Sequence, residues 1–220
     1  MASSGKVGEE HWGAETGYRA RRLSWFVALA DEVLKTKSEC RVLDLGGNSS
    51  YWRDLEPVWR GRNMKFTLVN TVPEPGLSAP FTAINADARE MARFEDGSFD
   101  VVHSNSVLEH VGRWKEMRAF AAEVRRLAPR YFVQTPYYWF PLEPHFRVPF
   151  FNWLPEPVRL SLVMWRGCGA FPRAETVDDA VRFVEDSNLL DEKRFRALFP
   201  DAEIRRERVY GLTKSLIAIR

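Results

Sequence analysis

Only two cysteines occur in the 220 residues, Cys40 and Cys168, and no metal-type spacing joins them. So few thiols cannot staple a fold, and both read as reduced cysteines of a cytoplasmic protein. Long apolar runs are missing too. Every apolar stretch is broken by Pro, Glu, His or Arg, which excludes a membrane-spanning helix. Met1 to Trp12 carries Glu9 and Glu10 and no apolar centre, so no secretion signal is expected there. Charge of one sign is also scarce. The net charge of +2 is too small to imply a nucleic-acid partner. No internal repeat and no low-complexity segment is present. What remains is an ordinary balance, 45% hydrophobic and 28% charged, in a length that can bury one full core. One domain over 1–220 is expected, with 1–13 as a flexible arm.

Apolar spacing predicts a helix over 15–36, with Leu23, Phe26, Val27, Ala30 and Leu34 on one face. Strands are expected at Arg41–Leu45, Lys65–Val69, Phe81–Asn85, Phe99–His103 and Tyr131–Gln134. Trp52 to Val58 reads as a short helix or loop. A helix is predicted over Leu108–Leu127, ending before Pro129, and helical structure again over 174–198. Ala202–Val209 and Thr213–Ile219 flank Tyr210-Gly211-Leu212 closely enough for an antiparallel pair. Strands alternating with helices and then a closing hairpin predict an α/β sheet with one reversed strand.

The most informative stretch is Arg41 to Ser50. An apolar strand carrying Asp44 runs directly into Gly46-Gly47. A glycine turn lets a ligand lie against the backbone, because no Cβ intervenes. A nucleotide-type ligand at the carboxyl edge of a parallel sheet is the first expectation.

Three ordered motifs sharpen it: Asp44-Leu-Gly-Gly, Asn85-Ala-Asp87-Ala88, and Phe99-Asp100-Val-Val-His-Ser104-Asn105-Ser106-Val-Leu-Glu109-His110. Together they resemble the class I S-adenosylmethionine-dependent methyltransferases, over about 38–136 and again over 189–220. The resemblance implies a doubly wound, Rossmann-like sheet, mostly parallel with one antiparallel C-terminal strand and helices on both faces. It implies S-adenosylmethionine as cofactor. Gly46, Gly47 and Asn48 would carry its amino-acid part and ribose, with Asp44 holding the amino group directly or through water, or else only capping the turn. Asn70 stands where the family usually has an acid for the ribose hydroxyls; a neutral amide can still pair with them. Asp87 would accept from the adenine amino group and Ala88 would offer a backbone N–H. Ser104 and Asn105 would face the reactive end. No metal ligand is assigned.

Four histidines are sorted by context. His11 lies in the expected arm, and His103 reads as a hydrogen-bonded core residue. His110 follows Glu109 at a helix start. His145, in Trp139-Phe-Pro-Leu-Glu143-Pro-His145, follows the fifth strand, where this fold places acceptor loops. His145, Glu143 and His110 are therefore the candidate catalytic residues for taking a proton from an acceptor. The aromatic segment 137–173 is expected to be a lid insertion on the acceptor side. Its part 146–167 also suits a dimer face or a peripheral membrane contact. Arg19, Arg21 and Arg22 form a solvated face or meet an anionic group of a ligand.

Methyl transfer to a hydroxyl, or an amine, of a sugar or specialised metabolite is thus the expected activity, in a monomer or homodimer. The alternative is a non-catalytic cofactor-binding partner or regulatory subunit. A nicotinamide oxidoreductase is disfavoured, because Gly46-Gly47-Asn48-Ser49-Ser50-Tyr51 lacks the later glycine of its fingerprint.

Overall fold

Parallel strands between two helix layers need apolar side chains on both faces. A computed structural model, which describes residues 9–142 and 145–220 with side chains from residue 17 onward, shows this in its central strand. Strand β1 (Cys40–Leu45) buries Val42 in one core and Leu43 and Leu45 in the other. Around it lie β2 (Met64–Asn70), β3 (Phe81–Asn85), β4 (Val101–Asn105) and β5 (Arg130–Pro136), then β6 (Glu203–Val209) and β7 (Leu212–Ile219). The order is β3-β2-β1-β4-β5-β7-β6. The first five strands pair in parallel, and only β7 runs against its neighbours. The expected topology, reversed strand included, is what the chain forms.

One face is covered by α1 (Glu9–Leu34), α2 (Ser49–Asp54) and α3 (Glu56–Trp59), through Leu23, Phe26, Ala30, Trp52 and Trp59. The other is covered by α4 (Trp114–Leu127) and α7 (Glu192–Leu198), through Phe120, Val124, Leu127 and Phe195. A third, smaller core lies apart from both. In it α5 (Glu156–Trp165) packs on α6 (Val177–Glu185), and Phe146, Phe151, Val163, Ala180 and Val184 are buried. The aromatic insertion is therefore not a bare loop but carries its own core, completed by α6.

Several boundaries differ from the sequence expectation. Helix α1 already begins at Glu9, so 9–13 are helical; residues 1–8 of the expected arm lie outside the described residues. The helix expected over Leu108–Leu127 is broken. Leu108–His110 is a 3₁₀ turn, and Gly112 then takes φ +120°, a conformation that L side chains rarely adopt, before α4 starts at Trp114. The stretch 174–198 is two helices, because Asp191 caps a new start by accepting from the Arg194 N–H at 2.8 Å. Strand β4 begins two residues late. Asp100 instead closes the bottom of the sheet, accepting from the Arg41 N–H at 2.7 Å and Lys37 Nζ at 2.6 Å. Burial alone would raise its carboxyl; these donors together outweigh it and hold it below the usual range.

Among the described residues no helix is long and apolar enough to cross a membrane. The aromatic insertion does leave large side chains in solvent, with Trp165 72% and Phe150 50% exposed.

Candidate active site

The turn after β1 can only be built from glycine. Gly46 has φ +77° and donates its N–H to the Val69 carbonyl at 2.8 Å, and a Cβ there would run into the Val107 methyl groups. At Gly47 a Cβ would fall on the Asp44 carboxylate. Asn48 then caps α2, accepting from the Tyr51 N–H at 2.9 Å. Asp44 is buried and already engaged. Trp52 Nε1 donates to one oxygen at 2.6 Å, and His103 Nδ1 lies 2.7 Å from the other.

At the end of β2, Asn70 donates its amide to the Gly47 carbonyl and so ties the second strand to the glycine turn. Its register partner on β3 is Asn85. Asp87 follows and is clasped by Arg89, whose guanidinium bonds both carboxylate oxygens at 2.6–3.0 Å. That guanidinium holds the Asp87 carboxyl below the ordinary range. Arg89 was not among the sequence-predicted residues.

Three cavities follow the carboxyl ends of the strands and share walls. The first is lined by Asp44, Gly46, Gly47, Asn48, Tyr51 and Asn105. The second is lined by Gly46, Asn70, Asp87, Ala88, Val107 and His110. The third includes Arg19, Asn105, Gln134, Tyr137, His145 and Lys214. Gly46 joins the first two, and Arg19 and Asn105 join the first and third. Their volumes are about 220, 230 and 180 Å³. Each alone is smaller than the usual ligand site of roughly 300–1,000 Å³, and their shared lining residues set them side by side. Three buried polar atoms without a hydrogen-bond partner belong to residues lining the first cavity: the Tyr51 hydroxyl, His103 Nε2 and Asn105 Oδ1. Buried polar groups are rarely left unpaired, so these wall atoms are candidates to meet a polar ligand. An amino-acid end with its ammonium and carboxylate fits such a wall.

Of the expected cofactor residues, Asp44, Gly46, Gly47, Asn48, Asn70, Asp87, Ala88 and Asn105 line this cleft. Ser104 does not line these cavities. It is fully buried and its hydroxyl donates to the Leu45 carbonyl at 3.1 Å. Of the three basic residues on α1, Arg19 faces the cleft, Arg22 pairs with buried Glu207, and Arg21 lies over the Trp25 ring.

On the acceptor side the fold joins residues 35 positions apart. His110 Nε2 lies 3.1 Å from His145 Nε2. His110 Nδ1 faces the Asp186 carbonyl at 2.8 Å. Beside them Glu109 is fully buried, with one oxygen accepting from Thr135 Oγ at 2.9 Å and the other unpartnered. Burial pushes its carboxyl up. Glu143 lies outside the described residues. Glu109 stood in the sequence motif without a role; nothing in the sequence flagged Thr135 or Asp186.

Residues 63–130 match a family model described as a methyltransferase domain. The match takes in Asn70, Asp87, Asn105, Glu109 and His110, but not the glycine turn or His145. No curated protein sequence gives a significant match. Among solved structures, the chain is similar to magnesium protoporphyrin IX methyltransferase from Synechocystis PCC 6803 with bound S-adenosylmethionine. The two are 14% identical, over 99% of this chain and 86% of that one, with a TM-score of 0.51. It is also similar to an O-methyltransferase family protein from Burkholderia thailandensis, at 13% identity over 94% of this chain and a TM-score of 0.51. The chain spans 59% of that protein, and 44% of a methyltransferase structure from Galdieria sulphuraria that it also matches. At these identities the likeness establishes the fold, and the family match adds the domain. Residues 63–130 are thus similar to a methyltransferase domain, and the chain shares its fold with a methyltransferase solved with bound S-adenosylmethionine.

Proposed function

We propose that the chain transfers the methyl group of S-adenosylmethionine to a hydroxyl oxygen of a small molecule, a sugar or specialised metabolite. The observation that carries this reading is the row of neighbouring cavities that share Gly46, Arg19 and Asn105. Its first two cavities suit the amino-acid end and the adenosine of the cofactor. The third opens beside them and presents His145. Methyl transfer from a sulfonium is an in-line displacement, and alignment alone can contribute roughly 7–11 kcal/mol. A hydroxyl acceptor must also lose its proton. In this reading His145, with the His110 imidazole beside it, takes that proton. Asp44, Asn70, Asp87 and the Ala88 N–H hold the cofactor in this reading, with Arg19 near its carboxylate. Exposed Phe150, Trp153 and Trp165 support an acceptor or surface of amphiphilic character at the outer rim.

The test has two stages. Calorimetry should show binding of S-adenosylmethionine and of its demethylated product, and none of NADH. A panel of hydroxylated acceptors should then give turnover of the cofactor, which His145→Ala lowers by ~10²–10⁴-fold with little change in cofactor affinity. Cofactor binding with no turnover on any acceptor would favour a non-catalytic partner instead.

A further inference from the structure

We infer that Glu109, His110 and His145 form a binding site for a first-row divalent cation of the zinc type. One carboxylate oxygen and one nitrogen from each imidazole lie within 4.8 Å of one another. The two imidazole Nε2 atoms face each other at 3.1 Å. Two nitrogen ligands of one tetrahedral zinc ion, each about 2.05 Å from it, stand about 3.3 Å apart. Without an ion, two facing imidazole nitrogens satisfy each other only if one donates and the other accepts. With an ion between them, both lone pairs are used.

Two further observations point the same way. Glu109 is fully buried, and one of its oxygens has no hydrogen-bond partner. The other is oriented by Thr135. A buried carboxylate with an unmatched oxygen, close to two imidazoles, is what a cation would neutralise. His110 is also oriented as metal-bound histidines usually are, with its second ring nitrogen held by a backbone carbonyl, that of Asp186. Two imidazoles and one carboxylate favour zinc, manganese, iron, cobalt or nickel over magnesium and calcium, which prefer oxygen ligands. Three protein ligands leave a coordination position open, the pattern of a catalytic rather than a structural ion.

The open position has a use, which rests on the proposed hydroxyl acceptor. His110 lines the cavity assigned to adenosine and His145 the cavity assigned to the acceptor, so an ion held by both would border both cavities. An acceptor oxygen bound to the ion would lose its proton to water more readily. The oxygen lone pair then forms the new bond to the methyl carbon. The carbon–sulfur bond breaks, and its electron pair stays on sulfur. In the loaded site the histidines carry the ion that activates the acceptor.

The site is tested without any methyl transfer. Full-length protein, stripped with a chelator and dialysed, is titrated with Zn²⁺ by calorimetry and with Co²⁺ by visible absorption. One saturable equivalent is expected, with intense Co²⁺ bands of a low-coordinate site. His145→Ala and His110→Ala should each weaken binding at least ~10-fold while circular dichroism is unchanged. Glu109→Gln should do the same, but the histidine variants decide if it misfolds. Absence of saturable binding overturns the site. So does binding that both histidine variants retain, or Mg²⁺ binding in preference to Zn²⁺. S-adenosylmethionine binding is measured on the same stripped protein. A chain that takes the cofactor but no Zn²⁺ defeats the metal site alone. One that takes Zn²⁺ but no cofactor defeats the proposed methyl transfer alone.

Discussion

His103 and Asp44 are register partners on adjacent parallel strands, and their side chains meet at 2.7 Å, almost wholly buried. The pair makes Asp44 a fixed acceptor before any ligand arrives. Trp52 holds its other oxygen. Asp44→Ala would strand two buried donors at once. It should lower stability by about 2–5 kcal/mol, since each buried donor left unpaired costs about 1–3 kcal/mol. Urea unfolding of the variant checks this, and an unchanged midpoint would show that neither donor depends on Asp44.

Gly47→Ala probes the same carboxylate from the other side. The added methyl would land on Asp44, which cannot retreat while His103 and Trp52 hold it. Cofactor affinity should fall at least ~10-fold, about 1.4 kcal/mol. Calorimetry reads it; wild-type affinity in the variant would mean that the turn shifts freely.

Asn70 has two jobs to separate. Its amide N–H braces the Gly47 carbonyl, and its place at the end of β2 borders the cavity proposed for adenosine. Asn70→Ala should weaken cofactor binding by roughly 1–3 kcal/mol. Asn70→Asp restores an acceptor but cannot donate to Gly47, so its affinity should fall between the two. An alanine variant that binds as tightly as wild type would reduce Asn70 to a turn residue.

Asp100 should make stability depend on acid. Its folded carboxyl is held below the unfolded value near 3.9, so its contribution is full above that pH. It fades as pH falls through the folded value. Asp100→Asn should be less stable than wild type by about 1–3 kcal/mol at pH 7, and the gap should narrow as the pH falls through the folded carboxyl's range. Denaturant titrations at several pH values decide it; a pH-independent gap would mean that the amide loses packing, not charge.

Much of this arrangement was legible in the sequence. Alternating apolar strands and helices gave the sheet, because burial on both faces leaves a strong pattern. The glycine turn and Asp87 could be placed because each motif sits at a strand end. The missed features arise where contacts are distant in sequence or set by backbone detail. The break at Gly112 depends on one φ angle, and the split at Asp191 on one cap. The meeting of His110 with His145, and of Asp44 with His103, depends on which strand ends become neighbours. The inward turn of the Ser104 hydroxyl, to the Leu45 carbonyl, is likewise set by the alternation along β4.

Trp52 has an optical consequence. Its indole is completely buried, and its N–H is bonded to the carboxylate that faces the cofactor cavity. Trp139, Trp153 and Trp165 are solvent-exposed and should emit further to the red. A cationic ligand seated beside Asp44 changes the field on the Trp52 ring. The blue edge of the protein's own fluorescence should therefore report occupancy of the cleft, with no label attached.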